Sequence, residues 1–174
     1  DGYDTPETNA RYNWYVGDGE KGTPDVFIDG LTKRLQGLSC DCVDRNYECY
    51  KDAIDEELAR PSFLEISASK ILIESDYIIE GTVKNISDIP LKDLAVCGMV
   101  GKEGDGPGLY NYIQDIFPFQ NVPILLLGDT FNFKFISEIS LVPESGINEE
   151  EILHLVVFVQ NLKTKEILQA LYVE

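Results

Sequence analysis

The sequence predicts an α+β protein, with a small mixed α/β unit over residues 1–60 and an all-β sandwich over residues 61–174. Three observations predict it. Helix signals bracket two short apolar runs around Asp29-Gly30 in the first part. After Pro61, short β-rich runs recur with turn signals between them, and Phe131, Phe133 and Phe135 alternate with Asn132 and Lys134. No helix of useful length fits that second part, and several short strands in so small a span predict two packed sheets.

The first element is a helix. Thr5 is a good N-cap, Pro6 suits the first helical position, and Glu7 complements the helix N-terminus. The helix is expected to stop at Gly17-Asp18-Gly19. A strand over Asp25–Asp29 and a second near Leu31–Gln36 follow, joined at Asp29-Gly30, a dipeptide that signals a tight hairpin. From Asp44 to Arg60 the pattern is helical again. Tyr47, Tyr50, Ile54 and Leu58 recur at spacings of three and four, which predicts one apolar face, and Pro61 ends the helix.

Beyond Pro61, strands are expected near Phe63–Ile73, Tyr77–Asn85, Leu94–Lys102, Ile113–Phe117, Thr130–Ile139, Ile152–Gln160 and Glu166–Val173. Turns are expected at 85–88 and 160–163. The glycine-rich run 101–108 reads as the most flexible loop.

Charge narrows the function classes. The chain holds 14 basic and 31 acidic residues, a net charge of −17. Such a field repels phosphate backbones and anionic membrane surfaces, so nucleic acid is not expected as a partner. No run of residues is apolar and long enough for a membrane-spanning helix, so direct insertion is not expected either. The opening Asp1-Gly2-Tyr3 lacks a Met and a signal peptide, and reads as a mature, cleaved or truncated product. Cys40, Cys42 and Cys49 cluster in a polar stretch, which fits an extracytoplasmic, oxidising location.

These cysteines do not have a zinc spacing, and His154 lies in the other part of the chain, so no metal and no cofactor is expected. A structural disulfide is the better reading, either Cys40–Cys49 or Cys42–Cys49. Cys97, inside Leu94–Val100, reads as a core thiol, and His154 as a structural or surface residue on a strand with no triad partner. The acidic loops 1–4, 17–20 and 103–105 offer oxygens for Ca²⁺ but lack EF-hand spacing, and read as solvated loops. Trp14, Tyr15, Tyr110, Tyr112, Phe117 and Phe119 form either a binding face or packing between the two parts.

The block Thr23-Pro24-Asp25-Val26-Phe27-Ile28-Asp29-Gly30 carries a resemblance. With Thr5-Pro6-Glu7 through Tyr15, Asp44 to Leu58, and the closing Leu153–Asn161 and Lys163–Ala170, the chain resembles a family of exported bacterial thioredoxin-like lipoproteins. The resemblance implies the C-terminal part of a thioredoxin-like domain over 1–60, followed by an immunoglobulin-like β-sandwich over 61–174. It implies a cis bond before Pro24, with the Thr23 backbone presented to an extended peptide. Redox-active members carry a Cys-x-x-Cys ahead of this block, and none occurs here. The chain alone is therefore expected to be a non-catalytic fragment of a disulfide-handling or peptide-binding parent. The alternative is a cell-surface binding or adhesion module with the thioredoxin-like half as scaffold. Residues 1–60 are expected to dock on the sandwich, on a second copy, or on a missing N-terminal segment.

Overall fold

The computed structural model describes residues 5–22, 25–36, 46–73, 76–102, 112–137 and 153–174. Helix α1 (Pro6–Val16) is followed by strands β1 (Asp25–Ile28) and β2 (Lys33–Gln36), then by helix α2 (Asn46–Leu58). Eight strands complete the described chain: β3 (Leu64–Ile73), β4 (Asp76–Asn85), β5 (Leu94–Lys102), β6 (Tyr112–Ile116), β7 (Gln120–Val122), β8 (Thr130–Ile136), β9 (Leu153–Asn161) and β10 (Ile167–Val173). The described residues are therefore mostly β-sheet with two short helices.

Helix α1 starts as its sequence dictates. The Thr5 hydroxyl accepts from Thr8 N at 3.1 Å, and Thr8 Oγ1 accepts from Thr5 N at 3.0 Å. This reciprocal capping box satisfies two otherwise orphan donors. Gly17, with φ +58°, closes the helix.

The hairpin differs from the expected one. Ile28 pairs with Lys33, so residues 29–32 form the connection and the second strand does not begin at Leu31. Asp29 (φ +44°) and Gly30 (φ +75°) are both left-handed, and Thr32 Oγ1 donates to Asp29 O at 3.0 Å. Leu31 N instead donates to Lys165 O at 3.4 Å, so a distant turn claims the donor that a two-residue hairpin would use in its ladder.

Helix α2 corrects the expected apolar face. Ala53 is its buried residue, at 1% exposure, whereas Tyr47 and Leu58 are each 78% exposed and Ile54 is 46% exposed. The helix meets the small β1–β2 hairpin, and a small side chain permits that close approach. Two short strands cannot cover the large residues as well.

The remaining strands build two antiparallel sheets, ordered β10-β9-β5-β6 with β7 also on β5, and β3-β4-β8. Strand β7, only three residues long, has too short a pattern to be legible in sequence. The inner faces share one core, which includes Leu64, Ile79, Val83, Val96, Phe117, Phe133, Leu155 and Val157. Phe133 and Phe135 point inward as their alternation predicts, and Phe117 stacks on Phe135 with centroids 5.2 Å apart.

Strands β5 and β9 are apolar on both faces. Ala95, Cys97 and Phe158 form a second cluster on the outer side of the five-stranded sheet. Unbroken apolar runs are what two-sided burial requires. Residues from α1 and the β1–β2 loop lie against this side, so the first part of the chain docks on the sandwich, one of the three placements expected.

Candidate binding surface and its joint

The joint is organised by a buried amide. Gln160, 1% exposed, donates from Nε2 to Tyr15 Oη at 2.7 Å and to Lys165 O at 2.6 Å. Its Oε1 accepts from Arg11 Nη2 at 2.8 Å, and Arg11 Nη2 also reaches Tyr15 Oη at 2.6 Å. The Arg11 guanidinium lies 5.0 Å from the Tyr15 ring centroid and 4.8 Å from that of Phe158. A buried amide with its hydrogen-bonding groups met fixes one arrangement, because any displacement strands several polar groups at once.

A backbone clasp completes the joint. Ile167 N donates to Asp29 O at 3.0 Å beside the Leu31–Lys165 bond. A Cβ on Gly30 would stand 1.9 Å from Lys165 O, so glycine is required by both its positive φ and the close approach. Arg60 pairs with both Glu57 and Glu166, tying the end of α2 to the start of β10. Lys165 Nζ donates to Trp14 O and lies 5.1 Å from the Trp14 ring centroid.

Thr23 and Pro24, the expected peptide-binding residues, lie outside the described residues. The adjoining Asp25 is described. Its carboxylate, 3% exposed, accepts from Arg34 Nε at 2.8 Å and Nη2 at 2.7 Å, and from Tyr12 Oη at 2.7 Å. The Arg34 guanidinium holds the Asp25 carboxyl below its usual range, and the Tyr12 hydroxyl helps. Arg34 also donates to Glu20 O at 2.6 Å and lies 5.4 Å from the Phe27 centroid. The loop after α1, expected to be merely solvated, is thus folded back on the hairpin. Sequence reading missed this network. Its only signal was a diagonal cross-strand relation, Asp25 opposite Gln36 and Phe27 opposite Arg34.

The other expected residues separate. Cys49, on α2, is not a free thiol. Cys40 and Cys42 lie outside the described residues, so neither expected pairing is decided. Cys97 is a buried free cysteine, as expected of a core residue, and burial pushes its thiol pKa up. His154 Nδ1 lies 2.7 Å from Tyr172 Oη, in a structural contact between neighbouring strands. Among the described residues, no group of three or more His, Cys, Asp and Glu side chains could hold a metal ion.

The six aromatics do not form one face. Phe117 is in the sandwich core and Tyr15 in the joint, while Trp14 and Phe119 line a cleft of about 400 Å³ with Arg11, Cys97, Gln160 and Leu162. Tyr110, the Tyr112 side chain and the loops 1–4 and 103–105 lie outside the described residues. No described helix is long and apolar enough to cross a membrane. The candidate binding surface is therefore the β1–β2 hairpin with the exposed side of α2, held on the sandwich by the Gln160 joint.

No protein-family profile matches the chain, and no curated protein matches its sequence. Solved structures do. HBP35 of Porphyromonas gingivalis superposes with a TM-score of 0.68 at 15% identity, over 96% of this chain and 57% of that one. A domain of the outer membrane lipoprotein Omp28 from the same organism matches with a TM-score of 0.46 at 13% identity, over 66% of this chain and 89% of that one. Bacteroides uniformis β-glucuronidase 2 matches with a TM-score of 0.44 at 22% identity, over 63% of this chain and 12% of that one. The likeness to HBP35 shows a shared fold across nearly the whole chain. The chain spans little more than half the length of HBP35.

Proposed function

We propose that this chain is a non-catalytic module of an exported protein that holds an extended polypeptide. In this reading residues 1–60 are the C-terminal part of a thioredoxin-like unit and residues 61–174 an immunoglobulin-like sandwich that positions it. One observation carries the reading: a two-stranded hairpin, flanked by a helix with its large apolar residues exposed, is clamped to the sandwich. An isolated two-stranded hairpin is marginal in water. Among the described residues no third strand pairs with β1 or β2, so their outer edges suit strand addition by an extended chain. Thr23 and Pro24 directly precede β1. The strand supplied is that of a peptide partner, a second copy, or another segment of a longer chain. The extracytoplasmic location is supported by Cys49, which is not a free thiol.

The exposed Tyr47, Ile54 and Leu58 favour a second reading, a surface adhesion module that uses the helix face and not the hairpin edge. Fluorescence anisotropy with labelled, reduced insulin B chain separates the two. Binding that is lost in Pro24→Ala supports the peptide-holding reading. Binding that survives Pro24→Ala but is lost in the double variant Tyr47→Ser, Leu58→Ser supports the adhesion reading. In an insulin-reduction assay the chain is expected to add nothing to the rate with dithiothreitol alone, and sustained turnover overturns the non-catalytic assignment.

A further inference from the structure

Among the described residues Arg11, like Lys165 beside it in the joint, lacks the ion pair that several cations of this acidic chain make. Lys33, Arg34, Lys51, Arg60, Lys134 and Lys163 all sit in ion pairs. Half-buried Arg11 has no carboxylate partner among the described residues; its Nη2 donates to the neutral oxygens of Tyr15 and Gln160. An unpaired cation in a partly desolvated place is costly. A guanidinium has five donor hydrogens; Arg11 also interacts with the Cys97 sulfur, and its Nε and Nη1 donate to no oxygen among the described residues.

The same side chain lines the 400 Å³ cleft between α1 and the outer face of the five-stranded sheet. The other described lining is apolar or neutral: Trp14, Phe119, Leu162, Cys97 and Gln160, with Ala10 at the edge. No acidic residue is among it, although the chain holds 31. The volume falls within the roughly 300–1,000 Å³ of small-molecule sites, which are mostly apolar with a few placed polar groups.

We propose that this cleft is a binding site for a small monocarboxylate with an apolar body. The carboxylate meets the Arg11 guanidinium in a forked, charge-assisted contact, through donors that reach no described oxygen. The body lies against Trp14 and Phe119, the latter 55% exposed at the rim. The site does not depend on the peptide-holding reading, because neither the hairpin edge nor the exposed side of α2 takes part in it.

Trp14 is the one tryptophan in the chain, so its emission reports on the cleft directly. The probes are 4-phenylbutyrate and the neutral, nearly isosteric 4-phenylbutyramide, titrated into the intact chain at neutral pH and low salt. A saturable change in emission is expected, with the acid bound about tenfold more tightly than the amide or better. Arg11→Gln is expected to bring the acid to the level of the amide. Phe119→Ala, at an exposed position that the fold does not need, is expected to weaken both probes several-fold. Equal affinity of acid and amide overturns the proposal, as does an acid that gives no saturation up to about 10 mM. If Arg11→Gln fails to fold, the acid–amide comparison and Phe119→Ala decide the matter on folded protein.

Discussion

Gln160 Nε2 donates a 2.7 Å hydrogen bond to Tyr15 Oη across 145 residues of chain. This bond joins the first helix to a central strand of the larger sheet, and both residues are buried. The Gln160 amide also holds Arg11 and the Lys165 carbonyl, so three residues depend on one side chain.

Gln160→Leu keeps the volume and strands these partners. It is expected to destabilise by about 2–4 kcal/mol, since several polar groups lose their hydrogen bonds together. Tyr15→Phe removes only the shared hydroxyl and is expected to cost about 1–2 kcal/mol. Urea unfolding followed by far-ultraviolet circular dichroism measures both.

Gly30→Ala places a methyl 1.9 Å from the Lys165 carbonyl oxygen at a positive φ. Strain and clash together predict a loss of about 2–3 kcal/mol. The clasp is local, so amide exchange in β1, β2 and α1 is expected to accelerate more than exchange in β4 or β5. Uniform acceleration across all strands contradicts this account of the clasp.

Asp25 and Asp29 predict opposite pH effects. The Arg34 partner holds the Asp25 carboxyl below its unfolded value, so its stabilisation is present above about pH 4 and is lost as pH falls through the folded value. Burial, with the Glu57 carboxylate next and Glu166 adding to it against Arg60, pushes the Asp29 carboxyl up. Ionised Asp29 therefore opposes folding above its folded pKa, and that penalty disappears below about pH 4. Asp25→Asn is expected to flatten the acid limb of a Tm-versus-pH curve. Asp29→Asn, whose new side chain tolerates the left-handed backbone, is expected to raise Tm at pH 7 and leave it unchanged near pH 3.

The chain has four cysteines; one disulfide that includes Cys49 leaves two thiols. A thiol assay in denaturant without reductant is expected to find those two, Cys97 and one of Cys40 and Cys42. In the native state Cys97 is expected to react slowly, because it is buried and its thiol pKa is raised.

Tyr47→Ser and Leu58→Ser are each expected to change stability by less than about 0.5 kcal/mol, since both side chains are 78% exposed. Ala53→Leu, on the buried side of the same helix, is expected to cost about 1–3 kcal/mol by overpacking. The reverse order contradicts the orientation of α2 on the hairpin.

Much of the fold was legible because its signals are local. Thr5-Pro6 announces the start of α1, Pro61 stands just beyond α2, and the Phe131–Phe135 alternation fixes which side of β8 faces inward. The hairpin register was not legible, since Leu31 N pairs with Lys165 and not within the hairpin. The face of α2 was misread for a related reason: periodicity locates an apolar stripe, but only a partner surface buries it, and the described partner meets Ala53. The Arg11 cleft and the Asp25–Arg34 pair were missed because each joins residues that become neighbours only on folding.

The sequence by itself determined the chain of elements, the acidity, the core strands and the absence of a Cys-x-x-Cys, because caps, turns and hydrophobic periods act over a few residues. Only the tertiary structure decided that Arg11 of the first helix lies over Phe158, that Gln160 joins that helix to β9, and that Arg11 has no carboxylate partner among the described residues. Those outcomes depend on contacts between residues far apart in sequence, and no local preference encodes them.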